Sequence, residues 1–91
     1  MAVTVRIPTP LRRFTNDQSD VEIDGGPVGE VMDNLEAAHA GIKEKLVDEA
    51  GDIRRFVNVY VNDEDIRFLD GAETPVKDGD SVTIVPAIAG G

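Results

Sequence analysis

Val3, Val5 and Ile7 are apolar and alternate with Thr4 and Arg6, a period of two that predicts a strand with one buried face. Pro8 and Pro10 then end it, because proline cannot donate to a sheet ladder. After the polar stretch Thr15 to Asp20 the alternation returns, with Val21 and Ile23 between Glu22 and Asp24, and stops at Gly25-Gly26. These two strands are close enough to pair antiparallel through a loop longer than a tight hairpin. The period then changes. Val28, Val31, Met32 and Leu35 recur at spacings of three and four, which predicts a helix with Pro27 in its first turn and Gly41 as its stop. Ile42 and Leu46, four apart among Lys43, Glu44 and Lys45, predict a short second helical turn before Gly51.

Phe56 to Val61 carries the strongest strand signal, with Val57, Val59 and Val61 on one face and Phe56, Asn58 and Tyr60 on the other. Asn62 to Asp65 reads as a turn, Ile66 to Leu69 as a short returning strand, and Ser81 to Val85 as the last strand. Asp70-Gly71 and Asp78-Gly79 mark turns on either side of Thr74, Pro75 and Val76. Two strands, a helix, then further strands predict the α+β class: a mixed sheet with one main helix packed on one face, the β-grasp or ubiquitin-like layout. In that layout the first and last strands are central and parallel, so the C-terminus leaves the sheet from its middle. A length of 91 residues has room for one core, so residues 1–91 are expected to form a single domain with a flexible tail at 87–91.

Composition narrows what such a domain does. With 18 acidic and 9 basic residues its formal charge is −9, a field that repels nucleic acid and anionic membranes. The same field steers the chain toward a basic protein surface, and it also serves solubility. Cysteine is absent, which removes disulfides, thiolate metal sites and Cys nucleophiles together. No apolar run approaches the roughly 18 residues of a membrane helix, so a cytoplasmic protein is expected. A domain this small has little core from which to carve a catalytic cleft.

The candidate chemistry lies at the end, Val85-Pro86-Ala87-Ile88-Ala89-Gly90-Gly91. Glycine has no Cβ, so two in succession pass through a channel that a bulkier residue would block. A free Gly91 carboxylate would then reach a partner's active site. A carboxylate is a poor electrophile, but its transfer to the α-phosphate of ATP gives an acyl adenylate open to attack by sulfide or a thiolate. Pro86 favours a segment leaving the sheet, and the small apolar stem after it, Ile88 and Ala89 included, suits a groove on an activating enzyme or the domain's own surface. The bland alternative is a frayed end.

The run Phe56 to Asp65, the run Asp78 to Pro86 and the terminal Gly90-Gly91 resemble the ubiquitin-like sulfur carriers over essentially the whole chain. That family includes the small subunit of molybdopterin synthase and the carriers of the thiamine and cysteine pathways. The opening Ile7 to Arg12, the run Val61 to Phe68 and the close Pro86 to Gly91 are most similar to the cysteine branch. The resemblance implies a protein co-substrate rather than an enzyme, with Gly91 as the covalent sulfur acceptor and Gly90 as the threading residue. It implies three partners: an E1-like adenylating and sulfurtransferase enzyme that uses ATP, a pyridoxal-phosphate-dependent cysteine synthase, and a metal-dependent peptidase. The carrier itself is expected to bind no cofactor. The molybdopterin and thiamine branches, a ubiquitin-like protein modifier and a plain interaction module stay open as alternatives.

Other polar residues read as structural. His39 is the only histidine and, with no cysteine, builds no ordinary zinc site, so it is assigned to the surface or a helix end and no metal site is expected. Asp63, Glu64 and Asp65 lack the spacing of a calcium loop and read as an acidic turn, and Asp78-Gly79-Asp80 as a tight turn before a strand. Arg12, Arg13, Arg54 and Arg55 interrupt the acidic surface and are read as local charge balance in preference to partner orientation.

Overall fold

The expected alternation holds at the start of the chain: Val3, Val5 and Ile7 are buried, and β1 spans Ala2–Arg6. The computed structural model describes residues 2–54 and 57–86. Pro8 turns the chain out of the sheet into a 3₁₀ helix, Thr9–Phe14. The return passes through Asn16 and Asp17, both at positive φ, where a short polar side chain is tolerated. Thr15 in this polar stretch is fully buried, and its hydroxyl donates to the Gln18 carbonyl at 2.9 Å. β2, Asp20–Asp24, then pairs antiparallel with β1 in the register Val5↔Val21 and Val3↔Ile23.

Between β2 and the helix lies a two-residue strand the sequence did not announce, β3, Gly26–Pro27. Gly25 just before it is required by space, since a Cβ there would sit 2.7 Å from the Val76 carbonyl oxygen. The helix α1 spans Val28–Ala38 and buries Val28, Val31, Met32 and Leu35. Pro27, expected inside its first turn, is instead its N-cap with ψ 151°, because the residue is committed to strand pairing. His39 takes the C-cap, its N–H bonded to the Leu35 carbonyl. Gly41 follows at φ +98° against the Phe14 ring, as a stop signal should. The short α2, Lys43–Leu46, starts on the Glu36 carboxylate, which accepts from the Gly41 and Lys43 N–H groups at 2.9 Å each.

β4, Val57–Val61, turns Val57, Val59 and Val61 into the core. Asn62 and Asp63, both at positive φ, make the two-residue loop into β5, Glu64–Asp65. Here one expectation fails: Ile66 to Leu69 is not the returning strand. The strand is Glu64–Asp65, and Ile66–Phe68 is a 3₁₀ turn. The Asp65 carboxylate accepts from the Arg67 N–H at 2.8 Å and so closes the turn, and only Ile66 of the segment enters the core. After a second 3₁₀ turn, Gly71–Glu73, β6 (Pro75–Val76) pairs antiparallel with β3, and β7 completes the chain at Ser81–Pro86.

The main sheet has the order β2-β1-β7-β4-β5. β1 and β7 run parallel at its centre, Val5↔Val82, and β4 runs antiparallel to β7, Val59↔Ile84. Buried residues of α1 and α2 join the inward faces of β1, β2, β4 and β7 in one core. This is the β-grasp fold, a mixed sheet with one main helix on one face. Among the described residues no helix is long and apolar enough to cross a membrane.

Candidate functional site at the end of the central strand

The residues on which the expected chemistry falls, Ile88, Ala89, Gly90 and Gly91, lie outside the described residues. What the structure places is their origin. β7 is held from both sides in its first half, where Ser81, Val82 and Thr83 pair with Thr4, Val5 and Arg6 while Val82 and Thr83 also face Val61 and Tyr60. Side chains fasten its start. Asn62 accepts from the Ser81 N–H at 3.0 Å, and Asp80 accepts from the Lys77 N–H at 2.9 Å. Asp78 accepts from the Ala2 N–H at 2.9 Å. The Lys77 N–H, then the Asn62 side chain, hold the Asp80 carboxyl below its ordinary value. The tight turn expected at Asp78-Gly79-Asp80 is therefore also a clamp between the central strands.

The other half of β7 is different. Ile84, Val85 and Pro86 pair only with β4, the last rung being Val57↔Pro86. At this last described rung main-chain groups are missing or engaged outside the ladder. Pro86 has no N–H, Val57 gives its own N–H to the Arg54 carbonyl at 2.9 Å, and the Val57 carbonyl accepts from the Arg67 guanidinium at 3.2 Å. The missing donor expected at Pro86 falls at this rung, and the expected departure of the chain from the sheet falls on residues outside the described ones.

Beside it opens a groove of about 280 Å³ with an apolar lining of Pro10, Leu11, Val57, Ile84 and Pro86, edged by Glu44, Lys45 and Arg54. Its walls are fixed by the arginines. Arg12 donates through Nε to the Ile7 carbonyl at 3.1 Å and so holds the 3₁₀ helix that carries Pro10 and Leu11. Arg54 donates twice to the Glu44 carbonyl, at 3.0 and 3.1 Å. Arg13 stacks over the Phe14 ring, 4.9 Å from its centroid. For Arg12 and Arg54 the sequence reading of charge balance is thus too weak, since both guanidinium groups satisfy main-chain carbonyls; Arg55 lies outside the described residues. The groove residues come from four separated segments, and no spacing in the chain announces their convergence.

The arrangement is a central strand paired on both sides over its first half, whose last described residue, Pro86, borders an apolar groove. The ThiS family model matches residues 5–91, nearly the whole chain. The chain belongs to the ThiS family. A relative, the sulfur carrier protein CysO of Mycobacterium tuberculosis, is 54% identical over 93 aligned positions that cover all of both chains. The fold has solved counterparts as well. CysO in the crystal structure of the Amycolatopsis orientalis BexX/CysO complex superposes with a TM-score of 0.92 at 57% identity, covering 99% of this chain and 100% of that one. The crystal structure of Mycobacterium tuberculosis CysO, an antigen, gives 0.89 at 52% identity, covering 94% and 99%.

Proposed function

We propose that this protein is a sulfur carrier for cysteine formation, a protein co-substrate whose reactive group is the carboxylate of Gly91. The full-length 54% identity to a sulfur carrier carries the reading. The central strand β7, running toward residues 87–91, supports it. In the first step the carboxylate attacks the α-phosphate of ATP in an E1-like activating enzyme, giving the acyl adenylate and releasing pyrophosphate. Hydrosulfide then adds to the acyl carbon and AMP leaves, so the C–O bond to the phosphate is exchanged for C–S and a thiocarboxylate remains.

That sulfur adds to the terminal alkene carbon of an aminoacrylate supplied by a pyridoxal-phosphate-dependent synthase, the carbon bearing the nitrogen takes up a proton, and the adduct is released with a free amine. The resulting thioester rearranges to an amide, because the new amine lies within reach of the carbonyl and the step is effectively unimolecular. Hydrolysis by a metal-dependent peptidase frees cysteine and restores the Gly91 carboxylate. ATP, pyridoxal phosphate and the metal belong to the partners, and the cycle is read as cytoplasmic. The carrier contributes reach: Gly90 threads the channel, and Ile88 and Ala89 lie along the partner's groove.

Intact-protein mass spectrometry tests each stage. With activating enzyme, ATP and sulfide the chain should exchange one oxygen for sulfur, and with the synthase it should gain a cysteinyl residue that the peptidase removes. A chain lacking Gly91 that still forms the thiocarboxylate would falsify the assignment of the acceptor. Sulfur transfer to a pterin or thiazole precursor, with no cysteinyl adduct, would keep the carrier class and reject cysteine as its product. Accumulation of higher-mass protein conjugates instead would make the chain a modifier.

A further inference from the structure

A phenyl ring offers more apolar area than any aliphatic side chain, so a small domain gains most by burying its aromatics. Phe68 does the opposite and is 87% exposed, with Leu69 beside it 39% exposed. The ring does not stand on a loose loop. Ile66, two residues earlier, is 4% exposed and anchors the turn in the core. The Asp65 carboxylate holds the Arg67 N–H, the Leu69 N–H donates to the Ile66 carbonyl at 3.0 Å, and the Asp70 N–H donates to the hydroxyl of buried Thr74 at 3.0 Å. An aromatic on a base ordered in advance loses little freedom when it docks.

Its place in the fold matters as much. The Arg67 guanidinium ties this turn to the Val57 carbonyl, and Val57 is the register partner of Pro86. The exposed ring is thereby fixed to the end of the sheet from which residues 87–91 continue. Around it the sequence is acidic, with Asp63, Glu64, Asp65, Asp70 and Glu73 set against Arg67 alone.

From this we infer that Phe68, with Leu69 at its side, is a docking anchor for the activating enzyme, entering an apolar pocket with lysine and arginine at its rim. The inference rests on the carrier reading above. An enzyme that places a triphosphate next to the incoming carboxylate must surround that site with cations, and the acidic residues flanking Phe68 in sequence complement such a face. The anchor binds the body of the domain while the tail enters the channel, so affinity does not depend on a few small tail residues.

The test is ATP–pyrophosphate exchange by the activating enzyme with the full chain as substrate. Phe68→Ala should raise the KM for the carrier on the order of thirtyfold, the loss expected of a buried interface aromatic, with kcat unchanged. Its Tm should match the parent's, because the ring contributes little to the core, and Phe68→Leu should fall between the two. Replacing Glu64, Asp70 and Glu73 together by Gln, Asn and Gln should flatten the salt dependence of kcat/KM. If the parent chain is adenylated and the KM of Phe68→Ala stays within about threefold of it, the anchor is overturned and the carrier reading stands. A fall in kcat at unchanged KM overturns it equally, since an anchor acts in binding. No exchange with the parent chain would overturn the carrier reading itself.

Discussion

At its first residues β7 is gripped by side-chain acceptors from Asn62, Asp78 and Asp80 and by strands on both sides, whereas its last three residues pair with β4 alone and border an apolar groove. The strand is thus held from both sides at one end, while at the other Val85 is 40% exposed and Pro86 borders the groove. The clamp matters because a group that acts at a fixed reach needs a fixed origin, and small misplacements are costly in catalysis. Accessibility matters because the partner must approach the strand end closely. Both halves carry core residues, Val82 and Ile84, and they differ in what lies beside them.

The largest expected effect breaks the functional end alone. Gly90→Val should slow adenylation roughly a hundredfold, since a β-branched residue stiffens and fills the threading segment. Its Tm should be unchanged, and a normal exchange rate would remove threading as the reason for the glycine. Next comes the floor of the groove. Ile84→Ala, at a position 2% exposed, should cost about 2–5 kcal/mol in denaturant unfolding, a large share of a small domain's stability. A cost as small as that of a surface mutation would mean that the second half of β7 is not part of the core.

The clamped end should answer more mildly. Asn62→Ala loses the acceptor for Ser81 and strains a φ of 51°, for about 1–3 kcal/mol, while Asn62→Gly keeps the conformation and should cost less. Equal losses in the two variants would show that the backbone conformation is not what the asparagine supplies.

The smallest effect is one of pH. Glu36 is held below its ordinary carboxyl value by the Gly41 N–H and then the Lys43 N–H, as Asp80 is by the Lys77 N–H and the Asn62 side chain. For both, the unfolded chain binds protons more readily than the folded one. Their contribution is complete above the ordinary carboxyl range and is lost as pH falls through the lowered folded values. Glu36→Gln should flatten that acidic limb of the stability curve, and an unaltered limb would place the dependence elsewhere.

Strand and helix periods reported the core almost residue by residue, because burying one face imposes a repeat of two or of three and four. Val3, Val5 and Ile7, or Val28, Val31, Met32 and Leu35, needed nothing further. Ile66 to Leu69 misled because four residues hold too few repeats to separate a strand from a turn, and the decision fell to one carboxylate, Asp65, bonding the Arg67 N–H. β3 and β6 were equally unreadable: two residues each, they exist only because the chain brings Gly26-Pro27 and Pro75-Val76 together.

The candidate acceptor, Gly91, is proposed from residue type and position along the chain and lies outside the described residues. The groove beside Pro86 and the anchoring of Phe68 were not legible in the sequence, since each is a property of segments remote in sequence: Pro10 with Ile84, Arg67 with Val57. Local patterning decides which residues go inside. Only closure of the sheet, which sets β1 against β7 and β4 against β7, decides which surface residues become neighbours of the strand that carries the tail.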